Sequence, residues 1–142
     1  MQVQFLKSDQ ELSEVAEILL QLRPQYAKEK LIAQIKEQQE SGYQIVYIEL
    51  DGKVSSVAGF VTGQKLGWGK YLYIDDLVTN ESQRSTGAGS FLINWFKDYA
   101  AELGCEQLHL DSGVQKFPAH RFYLRERFKI SSHHFSITDI GG

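Results

Sequence analysis

The sequence predicts a mixed α/β fold in which helices cover both faces of one twisted, mostly antiparallel sheet. The pair Asp51-Gly52 separates two apolar segments and is a strong signal for a two-residue hairpin turn, so antiparallel neighbours are expected. Residues 71–111 follow the pattern strand, glycine turn, amphipathic helix and strand, which predicts a right-handed parallel crossover. A chain of 142 residues can form one domain with a real core but not two, so 1–142 is expected to be a single domain.

The first half of the chain predicts a strand, two helices and a hairpin. Ser8 or Asp9 can cap the first helix, whose apolar residues recur at helical spacing until Pro24 ends it. Gly59, inside the second hairpin strand, indicates a bulge or a close backbone approach. In order, the expected bounds are 3–7 for the first strand, 9–23 and 27–39 for the helices, and 43–50 and 54–62 for the hairpin strands.

The second half predicts three strands alternating with two helices. The turn at 63–69 contains Trp68, and its tip is expected to be exposed. Gly104 can end the first of the two helices, and Pro118 suits the first position of the second. In order, the expected elements are a strand at 71–79, a helix from 86 or 87 to 103, a strand at 106–111, a helix from 118 and a last strand at 128–137.

Composition excludes several classes of protein. A formal charge of −3 and a sequence pI near 5.8 argue against a nucleic-acid binder, which is usually basic. Cys105 is the single cysteine, so neither an intrachain disulfide nor a cysteine-based metal site is expected. No stretch approaches the roughly 20 apolar residues of a membrane span, and residues 1–5 lack the features of a signal peptide. These observations predict a cytoplasmic protein without nucleic-acid or membrane partners.

A glycine turn before the helix at 87–103 predicts an anion-binding loop. Two glycines allow close backbone approach, the helix N-terminus carries a partial positive charge, and an arginine at the edge can hold phosphate. No Gly-Lys-Ser/Thr follows, and Leu92 stands where a dinucleotide-binding fingerprint needs a third glycine. The loop is Arg84-Ser85-Thr86-Gly87-Ala88-Gly89-Ser90.

Two sequence blocks resemble the motifs of the GNAT superfamily of acetyl-CoA-dependent N-acetyltransferases. The first is Arg84-x-x-Gly87-x-Gly89, preceded by the strand at 73–79, and the second is the segment 119–128, Ala-His-Arg-Phe-Tyr-Leu-Arg-Glu-Arg-Phe. The resemblance implies the GNAT fold, with a central β-α-β unit for coenzyme A. It also implies acetyl-CoA as co-substrate without a metal, and a small-molecule amine as acceptor. Homodimerisation is an expectation from the family alone.

The resemblance also implies roles for individual residues. Tyr123 matches the tyrosine that protonates the leaving thiolate in many members, a role that suits a positioned weak acid. Backbone N–H groups near Val78 are expected to hold the oxyanion. The residues expected to bind coenzyme A are Leu77, Val78 and Thr79 along the pantetheine arm, and Arg84, Ser85, Thr86, Gly87, Ala88, Gly89 and Ser90 around the pyrophosphate.

An acidic pair, Asp75-Asp76, interrupts the apolar strand before the loop. Neighbours on a strand face opposite sides, so the two carboxylates are expected to have different roles. In small-amine acetyltransferases of this superfamily an acidic residue at the position of Asp75 often acts as general base, and a carboxylate suits the deprotonation of an ammonium group. The alternative is that both residues only hydrogen-bond loop amides at the end of the strand.

Two positions depart from the family pattern. Arg127 replaces the usual glycine before Phe128, and a positive φ there would be costly, so the local turn is expected to differ. Lys116 stands where an asparagine often contacts the coenzyme in the family, so the chain departs from the pattern at that contact. Tyr26, Tyr43 and Trp68 are candidates for the acceptor pocket or for a dimer contact.

The expected activity is the transfer of an acetyl group from acetyl-CoA to a primary amine by direct attack in a ternary complex. The acceptor classes considered are a polyamine, an amino acid derivative and an aminoalkylphosphonate. A protein N-terminus or lysine is the alternative acceptor. A non-catalytic acyl-CoA-binding regulatory module is the alternative from another functional class.

Overall fold

The structure is a computed structural model that describes residues 1–84 and 86–142. Its contacts divide the chain into two compact units, Met1–Leu110 and Asp111–Gly142. The helices and strands are, in chain order, β1 (Val3–Phe5), α1 (Asp9–Leu22), α2 (Lys28–Glu40), β2 (Gln44–Leu50), β3 (Lys53–Lys65), β4 (Gly69–Thr79), α3 (Ala88–Glu102), β5 (Gln107–Leu110) and α4 (Phe117–Arg125).

The five strands form one sheet in the order β1-β2-β3-β4-β5. The first four strands are antiparallel neighbours, and β5 pairs with β4 in parallel. α3 connects β4 to β5. The mixed, mostly antiparallel sheet that the sequence predicts is therefore confirmed.

Local sequence signals account for the ends of several elements. Ser8 caps α1 in a capping box with Glu11, because each side chain accepts a hydrogen bond from the backbone N–H of the other. Asp51 and Gly52 both adopt positive φ, 54° and 77°, as the tight turn between β2 and β3 requires. Leu66, at the tip of the β3–β4 turn, is fully exposed, as expected for that turn.

Apolar residues are buried on both faces of the sheet. On one face, α1 and α2 cover a buried cluster that includes Ile45 and Tyr47 of β2 and Val57 of β3. Phe60 has the opposite side-chain direction, and its ring contacts Phe96 of α3 edge to face at 5.3 Å. Burial of these side chains supplies the main driving force for this part of the fold.

A bulge interrupts the pairing of β3 with β4. Gly59 lies opposite Asp76, whereas Phe60 lies opposite Ile74, so Asp75 is an extra residue on β4. Gly59 is required here because a Cβ would overlap the phenol ring of Tyr43. The sequence-based expectation of a bulge or a close backbone approach at Gly59 is confirmed in both respects.

The strand expected at 128–137 is absent from the described structure. Within the described residues, 128–139 follow α4 without helix or strand pairing, and every residue from 129 onward is exposed. The expectation of a strand is therefore wrong for the described residues, because a strand needs a neighbour to accept its backbone hydrogen bonds. No helix in the described part of the chain is both long and apolar enough to span a membrane.

Candidate active site

The edge of β4 opens where β5 ends. The parallel pairing stops at Ile74 with Leu110, and β4 continues for five more residues to Thr79. Among the described residues, no strand pairs with the β5 side of this extension. An extended ligand can therefore lie along this edge as an added strand would.

The direction of the backbone groups on this edge follows from the register with β3. The backbone N–H of Asn80 donates to the carbonyl of Ser55 at 2.7 Å. Hydrogen-bonded pairs alternate in an antiparallel ladder, so Val78 directs its N–H and C=O towards Val57 of β3. Leu77 and Thr79 direct theirs to the open side. These two residues supply the backbone groups that a ligand along the edge can reach.

Asn80 holds the chain that leaves β4. Its side-chain oxygen caps the single 3₁₀ turn at Glu81–Gln83, and its amide nitrogen donates to the carbonyl of Val54 at 3.2 Å. Gln21 of α1 bonds both to the Asn80 side chain and to the N–H of Glu81. The residues that lead from β4 into the predicted anion-binding loop are thus tied to both β3 and α1.

The predicted anion-binding loop, residues 84–90, runs into the start of α3. Gly87 has φ of 84°, a left-handed conformation that favours glycine, and its carbonyl accepts the first hydrogen bond of the helix from Phe91. Gly87, the N-cap residue, has no side chain that could cap α3. The helix therefore starts at Ala88 with its N-terminal turn suited to an anion. Arg84 and Thr86 are exposed beside it, and the prediction at Ser85 lies outside the described residues.

A cavity of about 310 Å³ lies between α1, α2 and β4. Its wall combines apolar side chains with amides, two phenols, one guanidinium and two carboxylates, which gives it one excess negative charge. The lining residues are Leu19, Arg23, Gln25, Tyr26, Leu31, Gln34, Ile35, Gln38, Tyr43, Asp75 and Asp76. Trp68 is absent from this wall and instead stacks on His109 with ring centroids 3.4 Å apart.

Asp75 and Asp76 both line this cavity, so the expectation that they face opposite sides is wrong. The bulge at Asp75 changes the alternation of β4. Val57 and Val61 are four residues apart on β3 and lie on the same face. Their partners on β4, Val78 and Tyr73, are five residues apart and would face opposite sides in a regular strand. One extra residue therefore turns the second carboxylate towards the first.

Asp76 is engaged by two partners. Arg23 donates to Asp76 Oδ1 from Nε at 3.0 Å and from Nη2 at 2.7 Å, and Tyr43 Oη donates to Oδ2 at 2.6 Å. Arg23 Nη2 also donates to the carbonyl of Asp75 at 3.2 Å. Burial, followed by the charge of Asp76, raises the pKa of Tyr43, so its phenol stays protonated and remains a donor. Asp76 is thus a structural anchor for the bulge.

Asp75 differs from its neighbour in having an available carboxylate. Its side chain is exposed at the cavity, and among the described residues no hydrogen bond or ion pair engages it. Partial burial and then the nearby charge of Asp76 raise its pKa, while Arg23 acts in the opposite direction. A carboxylate with a raised pKa holds a proton more readily, which favours its use as a base.

The C-terminal unit contains the predicted acid, Tyr123, on α4. Burial raises the pKa of its phenol, and its ring contacts Phe122 and Phe128 at centroid distances of 5.4 and 5.8 Å. His120, one turn earlier, makes a contact of 2.6 Å from Nε2 to the carbonyl of Gly113. That contact gives His120 a local structural role.

Arg127 adopts the glycine conformation, so the expectation of a different turn is wrong. Its φ is 79°. The N–H of Arg127 donates to the carbonyl of Leu124, and the N–H of Phe128 donates to that of Tyr123, at 3.1 and 3.0 Å. These two bonds form the Schellman motif that ends many helices. They offset a conformational cost of about 1–2 kcal/mol for a non-glycine residue.

No group of three or more His, Cys, Asp or Glu side chains in the described ranges is arranged to hold a metal ion. His134 lies 3.7 Å from Asp111, and both side chains are exposed.

The family of the chain is decided by its sequence over most of its length. Residues 11–128 match the model of the family described as Acetyltransferase (GNAT) family. The chain belongs to the GNAT acetyltransferase family. The resemblance that its motifs indicate is confirmed, and so is its class as an acetyl-transferring acyltransferase.

Two curated relatives of this GNAT chain carry acetyltransferase names. One is the Uncharacterized N-acetyltransferase YhdJ of Bacillus subtilis (strain 168), with 30% identity over 132 residues that span 92% of this chain and 93% of the relative. The other is the Aminoalkylphosphonate N-acetyltransferase of Salmonella typhimurium, with 38% identity over 65 residues, or 46% of this chain and 41% of the relative.

A solved structure extends the likeness to the whole GNAT fold. The Aminoglycoside N-Acetyltransferase AAC(6')-Iy in complex with CoA superposes with a TM-score of 0.84 over 98% of this chain and 94% of its own, at 14% identity. At that identity the likeness concerns the fold alone.

Sequence reasoning missed Arg23 and underused Tyr43 in this site. Arg23 is the C-cap of α1, a position that carries no motif. Tyr43 was a candidate for the pocket on its aromatic character only. Pro24 was the available sequence signal for Arg23. Because a proline ends the helix, it places the side chain of the preceding residue at the helix end.

Proposed function

We propose that the protein transfers an acetyl group from acetyl-CoA to the primary amine of a small molecule. The observation that carries the proposal is the available Asp75 carboxylate, which lines an acceptor-sized cavity and directly precedes the open edge of β4. The N-acetyltransferase names of the relatives support the same reaction class.

The residues that follow Asp76 suit the binding of acetyl-CoA, the acetyl donor. Leu77 and Thr79 offer backbone groups to the amides of a pantetheine arm, and Val78 lies between them with its backbone bonded to β3. The start of α3 after Gly87, together with the predicted contacts at residues 84–90, suits a diphosphate. Bound acetyl-CoA supplies the thioester carbonyl that the amine attacks. An N–H on the open edge, at Leu77 or Thr79 on either side of Val78, is then the candidate hydrogen-bond donor to the thioester carbonyl oxygen.

Asp75 is proposed as the general base for the acceptor. A primary ammonium must lose a proton before its nitrogen can attack, and Asp75 can take that proton directly or through one water. The excess negative charge of the cavity attracts the ammonium group. Arg23 and Tyr43 donate hydrogen bonds to the carboxylate of Asp76. Of the two carboxylates, that of Asp75 is therefore the one available to accept the proton.

Tyr123 is proposed as the general acid. Its raised pKa keeps the phenol protonated near neutral pH, so the proton is present when a thiolate needs it. The chemistry of the phenol and the family motif support this role.

A small acceptor is favoured over a protein. A cavity of about 310 Å³ is at the lower end of the range for small-molecule sites. Its amides Gln25, Gln34 and Gln38 and the guanidinium of Arg23 can hydrogen-bond a polar or anionic group at the far end of an acceptor. A polyamine, an amino acid derivative and an aminoalkylphosphonate are the candidates, and the partial match to the aminoalkylphosphonate enzyme favours testing that class first.

The test is a thiol-release screen with acetyl-CoA and a panel of amines that includes a lysine peptide. We expect turnover with at least one small amine and a loss of kcat/KM of about 10²-fold or more for Asp75→Asn and for Tyr123→Phe. Matched controls are Asp98→Asn, on the exposed side of α3, and Tyr99→Phe, whose ring contacts Phe5 and Trp95. Calorimetry should give unchanged acetyl-CoA affinity for both test variants.

Three outcomes would contradict parts of this proposal. Full activity of Tyr123→Phe with every accepted amine would remove the acid assignment. Full activity of Asp75→Asn would remove the base assignment. Binding of coenzyme A without acetylation of any amine would favour the non-catalytic acyl-CoA-binding module.

A further inference from the structure

A second cavity, of about 280 Å³, adjoins the cavity that contains Asp75. The residues that line it are Gln34, Glu37, Gln38, Ser41, Tyr43 and Val61. Three of them, Gln34, Gln38 and Tyr43, also line the first cavity, so the two cavities meet at these side chains. Asp75 lines the first cavity only, and we therefore name the second one the distal cavity.

Two glutamine side chains form most of the polar part of the shared wall. Gln34 and Gln38 are one turn apart on α2, and Gln34 Nε2 donates to Gln38 Oε1 at 2.9 Å. This bond uses the nitrogen of Gln34 and leaves its amide oxygen able to accept a hydrogen bond from a ligand. The wall between the cavities therefore consists of long side chains that can exchange one hydrogen bond for another.

The two cavities lie within reach of one short molecule. Gly59 lies opposite Asp76, and Val61, which lines the distal cavity, is two residues further along β3. Neighbouring strands are about 4.8 Å apart and rise about 3.3 Å per residue, so Val61 lies roughly 8 Å from the bulge that carries Asp75. An extended chain of about five carbons, with bonds of about 1.5 Å, covers such a span.

The distal cavity carries a negative charge that has no partner. Of its lining residues, Glu37 alone is ionised, because burial keeps the phenol of Tyr43 protonated. The Glu37 side chain is exposed, and in the described part of the chain no hydrogen bond or ion pair engages it. Lys36, its neighbour on α2, is paired with Asp9 at 3.4 Å. The distal cavity therefore favours a cationic group over an anionic one.

We propose that the distal cavity binds a second ammonium group of the acceptor, with Glu37 as its counter-ion. The acceptor is then a linear diamine or a longer polyamine, with one end at Asp75 and the other at Glu37. The carboxylate of Glu37 keeps the distal ammonium protonated, while the amine at Asp75 gives up its proton. An acceptor of the same length that ends in an acid group is repelled there. This inference rests on the proposed function, because it names the acceptor of the same site.

The experiment compares three five-carbon amines of equal length as acceptors for the wild-type protein. They are the diamine cadaverine and the corresponding amino alcohol and amino carboxylic acid. We expect kcat/KM per amino group to be about fivefold higher for cadaverine than for the amino alcohol, as one partly exposed ion pair allows, and lowest for the amino acid. The comparison needs no variant, so it decides the question whether or not a substituted protein folds.

Variants of Glu37 identify the residue that makes the selection. Glu37→Gln should raise the KM for cadaverine about fivefold and leave kcat unchanged, because the distal group does not take part in the reaction. Its KM for the amino alcohol should stay as in wild type. Glu37→Lys should reverse the preference in favour of the amino carboxylic acid. Glu40→Gln, exposed on α2 outside both cavities, is the matched control and should behave as wild type.

Equal kcat/KM per amino group for the three acceptors, or an unchanged KM for cadaverine in Glu37→Gln, would overturn the distal site. Calorimetry with cadaverine in the presence of coenzyme A separates this result from a failure of the proposed function. Binding that Glu37→Gln weakens about fivefold, without acetylation of any amine, would contradict the proposed function alone. Acetylation of other amines without binding of cadaverine would contradict the distal site alone.

Discussion

The two units of the chain are built on different principles. Every buried apolar core residue of the described chain lies in Met1–Leu110. Of the ten large apolar residues that are exposed, seven lie in Asp111–Gly142: Val114, Phe117, Leu124, Ile130, Phe135, Ile137 and Ile140. The first unit hides its apolar surface within itself. The second unit keeps its apolar surface available for contacts, and it also carries the proposed acid.

The largest expected difference between the units comes from the same substitution made in each. Phe60→Ala removes a fully buried ring that packs on Phe96, and it should lower the free energy of unfolding by about 3–5 kcal/mol. Phe117→Ala removes a ring that is 62% exposed, and it should change that free energy by less than about 1 kcal/mol. Urea denaturation of both variants measures the difference. Equal losses would show that the second unit has a core of its own.

A smaller effect is expected at the bulge of β4. Tyr43→Phe leaves Asp76 Oδ2 without its donor in a partly buried site, which should lower the free energy of unfolding by about 1–3 kcal/mol. Tyr26→Phe, on the wall of the same cavity, is the matched control and should have little effect. Denaturation and the KM for the amine should change together in Tyr43→Phe, because the bulge also positions Asp75. A change in stability with unaltered amine kinetics would separate the bulge from the site.

The pKa of Asp75 predicts a small dependence of stability on pH. Its folded-state pKa is raised, so the folded state binds more protons than the unfolded state in the interval that begins near the ordinary value of about 3.9. Stability should therefore fall as the pH rises through that interval, and Asp75→Asn should lack this fall. The wild-type rate should rise with pH over the same interval. Parallel pH dependence of unfolding in wild type and Asp75→Asn would contradict the assignment.

The smallest expected effect is at the end of α4. Arg127→Gly removes the conformational penalty of φ 79° and should raise the free energy of unfolding by about 0.5–1 kcal/mol. Arg125→Gly, within the last turn of α4, should instead lower it by a similar amount. If Arg127→Gly left global unfolding unchanged while slowing amide exchange in 117–128, the second unit would unfold separately from the first.

Much of the first unit could be predicted from residue patterns. The Asp51-Gly52 turn, the capped start of α1 and the apolar face of α3 are local signals, and local signals set the elements that they border. The bulge could be suspected at Gly59, but its effect on Asp75 could not be read from alternation. A two-against-one pairing is decided by the neighbouring strand. Arg23 could not be predicted because its partner lies 53 positions away in the sequence.

The second unit was harder to predict for a different reason. The pattern at 128–137 predicted a strand, but strand pairing depends on a neighbour that local residues do not specify. Arg127 showed the opposite limit. Its side chain disfavours a positive φ, yet two backbone hydrogen bonds of the Schellman motif hold it there. In both cases backbone hydrogen bonding, and not the pattern of side chains, decides the conformation.

The order of the site residues along the chain has an evolutionary consequence. Every residue that lines the acceptor cavity lies between Leu19 and Asp76, and the predicted donor contacts of the first unit begin at Leu77 and end at Ser90. One peptide bond, between Asp76 and Leu77, therefore separates the part of the chain that is proposed to bind the amine from the part that is proposed to bind the coenzyme. Recombination at that bond would exchange all of the cavity residues together and leave the proposed coenzyme-binding residues unchanged.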